Sequence, residues 1–222
     1  MDGLAGIDLF AAMRTQRTLR RLRPDPVPDD LLRKVLTAAT WAPSGGNRQP
    51  WRFVVVSDPA VKKTLRDLYA PHFVALMNSH RDAVAKLPER ERARIEKMRD
   101  GGFHLADHMH EAPVIVVVCV HVPDLAITDL GLDRPSVVGG ASIYPAVQNL
   151  LLACRAVGLG AALTTLLCHE EPKVRALLAI PAGWATAAHV AIGYPDGQGY
   201  GPTLRKPVAE VAFRDRWDRP LF

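Results

Sequence analysis

The chain has 222 residues, 48% of them apolar and 23% charged. That balance excludes a disordered tail, a collagen-like repeat and a disulfide scaffold, and the length suits one large domain with a sizeable core. The formal net charge is +5, which suits nucleic acid, a membrane surface or a phosphorylated small molecule.

In chain order, residues 6–15 are expected to form a first helix. A second starts at Asp29 or Asp30, carries Leu31, Leu32, Val35, Leu36 and Ala39 at helical spacing, and stops near Pro43. Residues 52–57 are short and β-branched, a buried strand. Asp58-Pro59 opens a helix that is expected to reach about Tyr69. Residues 71–111 are polar and helical in tone. Residues 113–121 form a second buried strand. Residues 141–157 are apolar on nearly every side, as in a helix buried all round. Gly158-Leu159-Gly160 ends it, and a short strand runs to about Leu167. A capped helix over 171–179 and a strand over 186–193 follow. The tail from Pro195 is rich in Gly, Pro and Arg. With no regular βαβ alternation, the class is α+β.

The longest apolar run near a predicted strand, Val114 to Val120, has seven residues, whereas a membrane helix needs about 20. Met1-Asp2-Gly3-Leu4-Ala5 shows no signal-peptide pattern, so the expected location is cytoplasmic. Cys119, Cys154 and Cys168 lack metal-ligand spacing and are expected to be buried free thiols. Arg14, Arg17, Arg20, Arg21 and Arg23 form the densest basic stretch, without the interleaved aromatics of a single-strand binding groove. A solvated helix face explains them equally well. Neither nucleic acid nor a membrane is an expected partner.

Several common motifs are missing. Gly158-Leu159-Gly160 is not followed by a helix start, which argues against a Rossmann dinucleotide site. There is no P-loop, Gly-x-Ser-x-Gly elbow or His-Glu-x-x-His. His104 and His108 share a helical face, with Asp107, His110 and Glu111 near. A polar helix end explains them better than a metal site, and no metal is expected.

Two segments carry chemistry. Arg17-Thr18-Leu19-Arg20 offers two guanidinium groups and a hydroxyl, a set that matches phosphate oxygens. In Ala42-Pro43-Ser44-Gly45-Gly46-Asn47-Arg48-Gln49-Pro50-Trp51, glycines let backbone amides approach a ligand. Ser44, Asn47 and Gln49 add side chains that donate and accept, as a flat polar-edged heterocycle requires. The plain alternative is a loop that only joins a helix to a strand.

Together these segments resemble the FMN-dependent nitroreductase superfamily, which has Arg-Ser-x-Arg near its N-terminus. About 25 residues later it has Ala-Pro-Ser-x-x-Asn-x-Gln-Pro-Trp leading into a strand. The second motif matches fully, the first with Thr18 for Ser. Residues 141–160 resemble the family's long central helix ending in Gly-Leu-Gly. Thr164-Thr165, Gly193-Tyr194-Pro195 and Arg205-Lys206-Pro207 follow in the family's order, so the resemblance covers nearly the whole of residues 1–222 as one FMN-binding domain. His104 to Pro113 resembles an actinobacterial-type nitroreductase subgroup.

The resemblance implies an α+β fold with a central mixed sheet flanked by helices, in an intertwined homodimer with two FMN sites at its interface and a C-terminal tail crossing to the partner. It places Arg17, Thr18 and Arg205 at the FMN phosphate and Arg20 at the pyrimidine edge. Pro43, Ser44, Asn47 and Gln49 would contact the flavin or ribityl chain, with Ser44 and Asn47 possible contributions of the partner subunit. Leu163, Thr164 and Thr165 would lie along the dimethylbenzene-to-N5 side, where Thr165 and Arg20 tune the flavin and no protein residue is itself catalytic. Gln16 replaces the basic residue often found before Arg17. Residues 66–112 would form a lid without a recognisable substrate signature. The implied activity is a ping-pong oxidoreductase that takes hydride from NAD(P)H and passes it to a nitroaromatic, a quinone or a similar small acceptor. The alternatives are a reductive dehalogenase or flavin-processing enzyme of the same superfamily, and a non-catalytic flavin-binding or storage protein.

Overall fold

A computed structural model describes residues 7–197 and 199–222. Its elements are α1 (Leu9–Thr15), β1 (Leu22–Arg23), α2 (Asp29–Thr40), β2 (Trp51–Val56), α3 (Pro59–Ser79), α4 (Arg81–Ala85), α5 (Glu89–His108), β3 (Val114–His121), α6 (Tyr144–Ala156), β4 (Gly160–Thr164), α7 (Glu171–Leu177) and β5 (Trp184–Pro195). The sheet runs β2-β3-β5, and β4 and then β1 pair along the far side of β5. Every described strand pairing is antiparallel, so the sheet is not mixed as expected.

The sheet is the middle of three layers. β3 is buried on both faces and alternates its side chains between two cores. Val114, Val116, Val118 and Val120 join Leu32, Val35, Val147, Leu150 and Cys154 from α2 and α6. Ile115, Val117 and Cys119 meet Leu65, Tyr69 and Phe73 of α3 and Leu105 and Ala106 of α5. Period-two burial on both sides explains why the sequence reads there as a continuous apolar run.

Four expectations need correction. α3 does not stop at Tyr69 but continues through Pro71 to Ser79. One lost backbone bond is tolerated because Leu65, Tyr69 and Phe73 keep a buried stripe across the proline. The helix predicted over 141–157 begins at Tyr144 and is not buried all round. Ala146, Val147, Leu150 and Cys154 face the sheet, while Leu152, Ala153, Ala156 and Val157 line a groove shared with α1 and α2. The strand predicted to about Leu167 ends at Thr164, where a 3-10 turn over 166–170 takes over. Cys119 and Cys154 are buried, but Cys168 is exposed. The first helix starts at Leu9; residue 6, its predicted start, lies outside the described residues.

No described helix is long and apolar enough to cross a membrane. Among the described residues, no group of three or more His, Cys, Asp or Glu is arranged to hold a metal ion.

Candidate active site

The segment after α1 is pinned to β4. The Leu19 amide donates to the Ala161 carbonyl at 3.0 Å, and the buried Leu19 side chain lies against Gly160. A Cβ on Gly160 would come within 2.7 Å of Leu22, so this close approach needs glycine. Leu19 turned inward leaves Arg17 and Thr18 exposed and Arg20 half-buried. Burial lowers the Arg20 guanidinium from its usual value, partly offset by Tyr69 beside it. Burial also raises the Tyr69 phenol, against the pull of Thr164 and Arg20. Arg20, Tyr69 and Thr164 therefore form one polar corner at the end of β4.

Thr164 and Thr165 differ. Thr164 is buried, and its hydroxyl accepts from the Leu166 amide at 3.2 Å, which starts the 3-10 turn. Thr165 is exposed, and its hydroxyl has no hydrogen bond among the described residues. Leu163 is half-buried against the α2–α6 core.

The chain after β5 folds back over the same corner. Arg155 lies 4.0 Å over the Tyr200 ring and donates to the Thr15 hydroxyl at 2.9 Å, while the Tyr200 hydroxyl donates to the Leu159 carbonyl. The amide and hydroxyl of Thr203 both donate to the Arg14 carbonyl at 3.2 Å. These ties hold residues 200–203 against the end of α1; Arg205, two residues on, is exposed and donates to the Leu204 carbonyl at 2.8 Å. A Cβ on Gly201 would lie 3.4 Å from Arg17 Nη1. No sequence signal marked Tyr200 or Thr203 as the anchors.

A cleft of about 490 Å³ opens here. Arg17, Thr18, Arg20 and Arg21 form one wall and Arg94, Lys97 and Met98 of α5 the other, with Asp100, Asp196 and Gly199 at the margins. Sequence reading missed Arg94 and Lys97, because a long charged helix gives no sign of which charges turn inward. Arg17, Arg20 and Arg205 have no carboxylate within 4.0 Å among the described residues. Such a surplus of guanidinium donors suits a phosphate.

The second motif stands elsewhere. The Ser44 hydroxyl accepts from the Gln49 amide at 2.9 Å, and the Gly45 amide donates to the Ser142 hydroxyl at 3.0 Å. Gln49 Nε2 donates to Asn47 Oδ1 at 3.3 Å. Gly46, Asn47 and Gln49 have φ of 58°, 53° and 50°, a left-handed turn that Gly and Asn accept readily. The Ser44 hydroxyl proton stays free to donate outward, and Pro43, Asn47 and Gln49 are exposed.

This turn feeds β2, at the opposite sheet edge from β4. Three strand spacings separate the two, about 14 Å. Trp51 lies level with Ala185 through Val120, whereas Thr164 pairs with His189, four residues further along β5. One chain thus brings Arg17, Thr18, Arg20, Leu163, Thr164 and Thr165 to one edge, while Arg205 does not line the cleft. It brings Pro43, Ser44, Asn47 and Gln49 to the other.

Comparison with known proteins bears on this arrangement. The family model described as "Nitroreductase family" matches residues 13–194. The chain is 34% identical over 213 residues to an NADH dehydrogenase of Thermus thermophilus, covering 92% of this chain and 95% of that protein. It is 31% identical to a 5,6-dimethylbenzimidazole synthase of Rhodospirillum rubrum, over 89% and 87% of the two chains. Oxidized iodotyrosine deiodinase bound to FMN and 3-iodo-L-tyrosine superposes with a TM-score of 0.65 at 25% identity, over 94% of this chain and 99% of that one. The family match spans both motif segments and all of the sheet but Pro195, and on it the chain belongs to the nitroreductase family of oxidoreductases.

Proposed function

We propose that this protein is an FMN-dependent oxidoreductase that takes hydride from NAD(P)H and passes it to a small organic acceptor such as a nitroaromatic or quinone. The observation that carries the reading is the cationic cleft lined by Arg17, Thr18 and Arg20, with Tyr69 and Thr164 beside Arg20. The residues fit the cofactor on their own chemistry. Guanidinium groups without carboxylate partners suit a phosphate dianion.

When bound, FMN would supply two-electron hydride chemistry at N5, which the protein itself lacks. The chain's residues bind and tune it. Arg17, Thr18 and Arg205 hold the phosphate. Arg20, half-buried and therefore strongly felt, stabilises negative charge on the pyrimidine edge. Thr165 offers a hydroxyl that can donate or accept toward N5, and Thr164 fixes the turn that presents it.

Because the Ser44–Gln49 turn is at the far sheet edge, a second copy supplies it to each site. A two-fold arrangement makes two equal sites, each with the arginine corner of one chain and the Ser44 and Asn47 turn of the other. The apolar groove between α1, α2 and α6, lined by Leu9 at 58% and Trp41 at 67% exposure, suits burial against that copy. Val208, Val211, Trp217 and Phe222 of the tail are exposed as well, which supports its crossing onto the partner.

The test is purification followed by turnover. The protein should carry yellow, non-covalently held FMN and reduce nitroaromatics or quinones with a pyridine nucleotide. A protein that takes up no FMN refutes the reading. A second reading rests on the 31% identity with the dimethylbenzimidazole synthase: the bound flavin would itself be consumed. Reduced flavin that fails to return to its starting absorbance in air would favour that reading.

A further inference from the structure

The wall of the cleft formed by α5 carries charge that the proposed phosphate clamp leaves unused. Arg94 and Lys97 are exposed, stand one turn apart, and line the cleft opposite Arg17, Thr18 and Arg20. In all, five cations face two carboxylates, Asp100 and Asp196. Asp100 is already engaged, accepting from Arg21 Nη2 at 3.0 Å, and Arg21 Nη1 also meets His104 Nδ1 at 3.0 Å. Burial and the adjacent Arg21 hold His104 below the ordinary histidine value, in keeping with a positive local field.

Carboxylates on α5 neutralise one of its arginines. Arg92, just off the cleft, is paired with Glu89 and Glu96 on its own helix. Arg94 and Lys97 have no carboxylate within 4.0 Å among the described residues. Arg90 and Arg99 of α5 also lack a carboxylate within 4.0 Å among the described residues but do not line the cleft; of the α5 cations, Arg94 and Lys97 are both unpaired and turned to it, although like charges one turn apart repel. Met98, half exposed, places an apolar surface beside them, suited to the body of an organic molecule.

We propose that Arg94 and Lys97 recognise an oxyanion on the reactant that enters beside the cofactor, so that the enzyme selects a substrate bearing a phosphate or carboxylate. This rests on the reading of the cleft as an FMN site. An arginine fork and a lysine point charge together suit either group. The oxyanion has two possible sources, the 2′-phosphate of NADPH as donor or a carboxylate on the acceptor.

The experiment compares FMN-loaded wild type with the R94Q/K97Q variant, after the FMN dissociation constant of each is measured. One arm sets NADPH against NADH. The other sets 4-nitrobenzoate against the neutral 4-nitrobenzyl alcohol. KM for the anionic member of one pair should rise about tenfold or more, while kcat and both neutral reactants change little. The R94K/K97R variant should recover most of the loss, and added salt should erode the wild-type preference. Unchanged KM values with FMN in place overturn the proposal and leave the cofactor reading intact. So does weaker FMN binding in the variant, which would put both cations in the cofactor clamp. A wild type that takes up no FMN overturns both.

Discussion

Replacing Arg17 by Ala separates cofactor binding from folding. The Arg17 side chain is exposed, has no carboxylate within 4.0 Å among the described residues, and lines the cleft. Its loss should therefore change the stability of the apoprotein by less than about 0.5 kcal/mol, as for most surface positions. A phosphate deprived of one charged hydrogen-bond donor loses about 1.5–3 kcal/mol. That converts to a dissociation constant for FMN weaker by roughly 10- to 150-fold. Arg17→Lys should fall between, because a point charge keeps the attraction but not the two-pronged geometry. Quenching of FMN fluorescence on titration with apoprotein gives the affinity, and urea unfolding of the same samples gives the stability. An unchanged dissociation constant would remove Arg17 from the clamp. A weaker constant matched by an equal loss of stability would show that Arg17 acts on the fold instead.

Three further outcomes follow from the structure. Light scattering should find twice the chain mass of 24.3 kDa with and without FMN, because the α1–α2–α6 groove exposes apolar surface in a single chain; a folded, FMN-loaded monomer would contradict the shared site. Gly102→Ala should destabilise by about 1–2 kcal/mol, since its Cβ would come within 2.2 Å of Phe73 Cζ in the α3–α5 packing, whereas Gly101→Ala meets only Arg20 Cδ at 3.7 Å and should be neutral or stabilising. Equal melting temperatures for the two variants would show that the lid packs differently. His189 is wholly buried with both ring nitrogens unpartnered among the described residues, and burial pushes it down to about 4, below the ordinary 6.5. The unfolded chain then binds more protons between those values, so stability should fall as pH drops from about 6.5 to about 4, by roughly 3 kcal/mol in total. Urea midpoints that decline equally for wild type and His189→Leu would assign the acid loss to other groups.

The sequence is most legible where one physical signal dominates. The β-branched run at 113–121 and the apolar stripe of Leu32, Val35 and Ala39 each report burial directly, and both stand close to where they are expected. β1 is only two residues long, too short to show a period. The run of α3 beyond Pro71 depends on tertiary burial of Phe73, which outweighs the local cost of proline. At the site, arginine and glycine chemistry marks the Arg17–Arg20 and Ser44–Gln49 segments, but not their separation across the sheet, because strand order is a property of long-range pairing. Arg94 and Lys97 look like any other charges of a polar helix until the fold turns them toward Arg20. The anchoring of the segment before Arg205 depends on Tyr200 and Thr203, whose partners lie more than forty positions away.

The central claim is that each cofactor site draws its arginine corner from one chain and its Ser44–Asn47 turn from another. Complementation in mixed dimers tests it most directly. One chain would carry Arg17→Ala and Arg205→Ala, the other Ser44→Ala and Asn47→Ala, and neither should hold FMN tightly alone. If the sites are shared, unfolding and refolding the two together should restore tight binding at about one quarter of sites, since random pairing makes half the dimers mixed and each mixed dimer rebuilds one complete site. If the mixture binds no better than the separate variants, both segments act within one chain and the shared-site account is wrong.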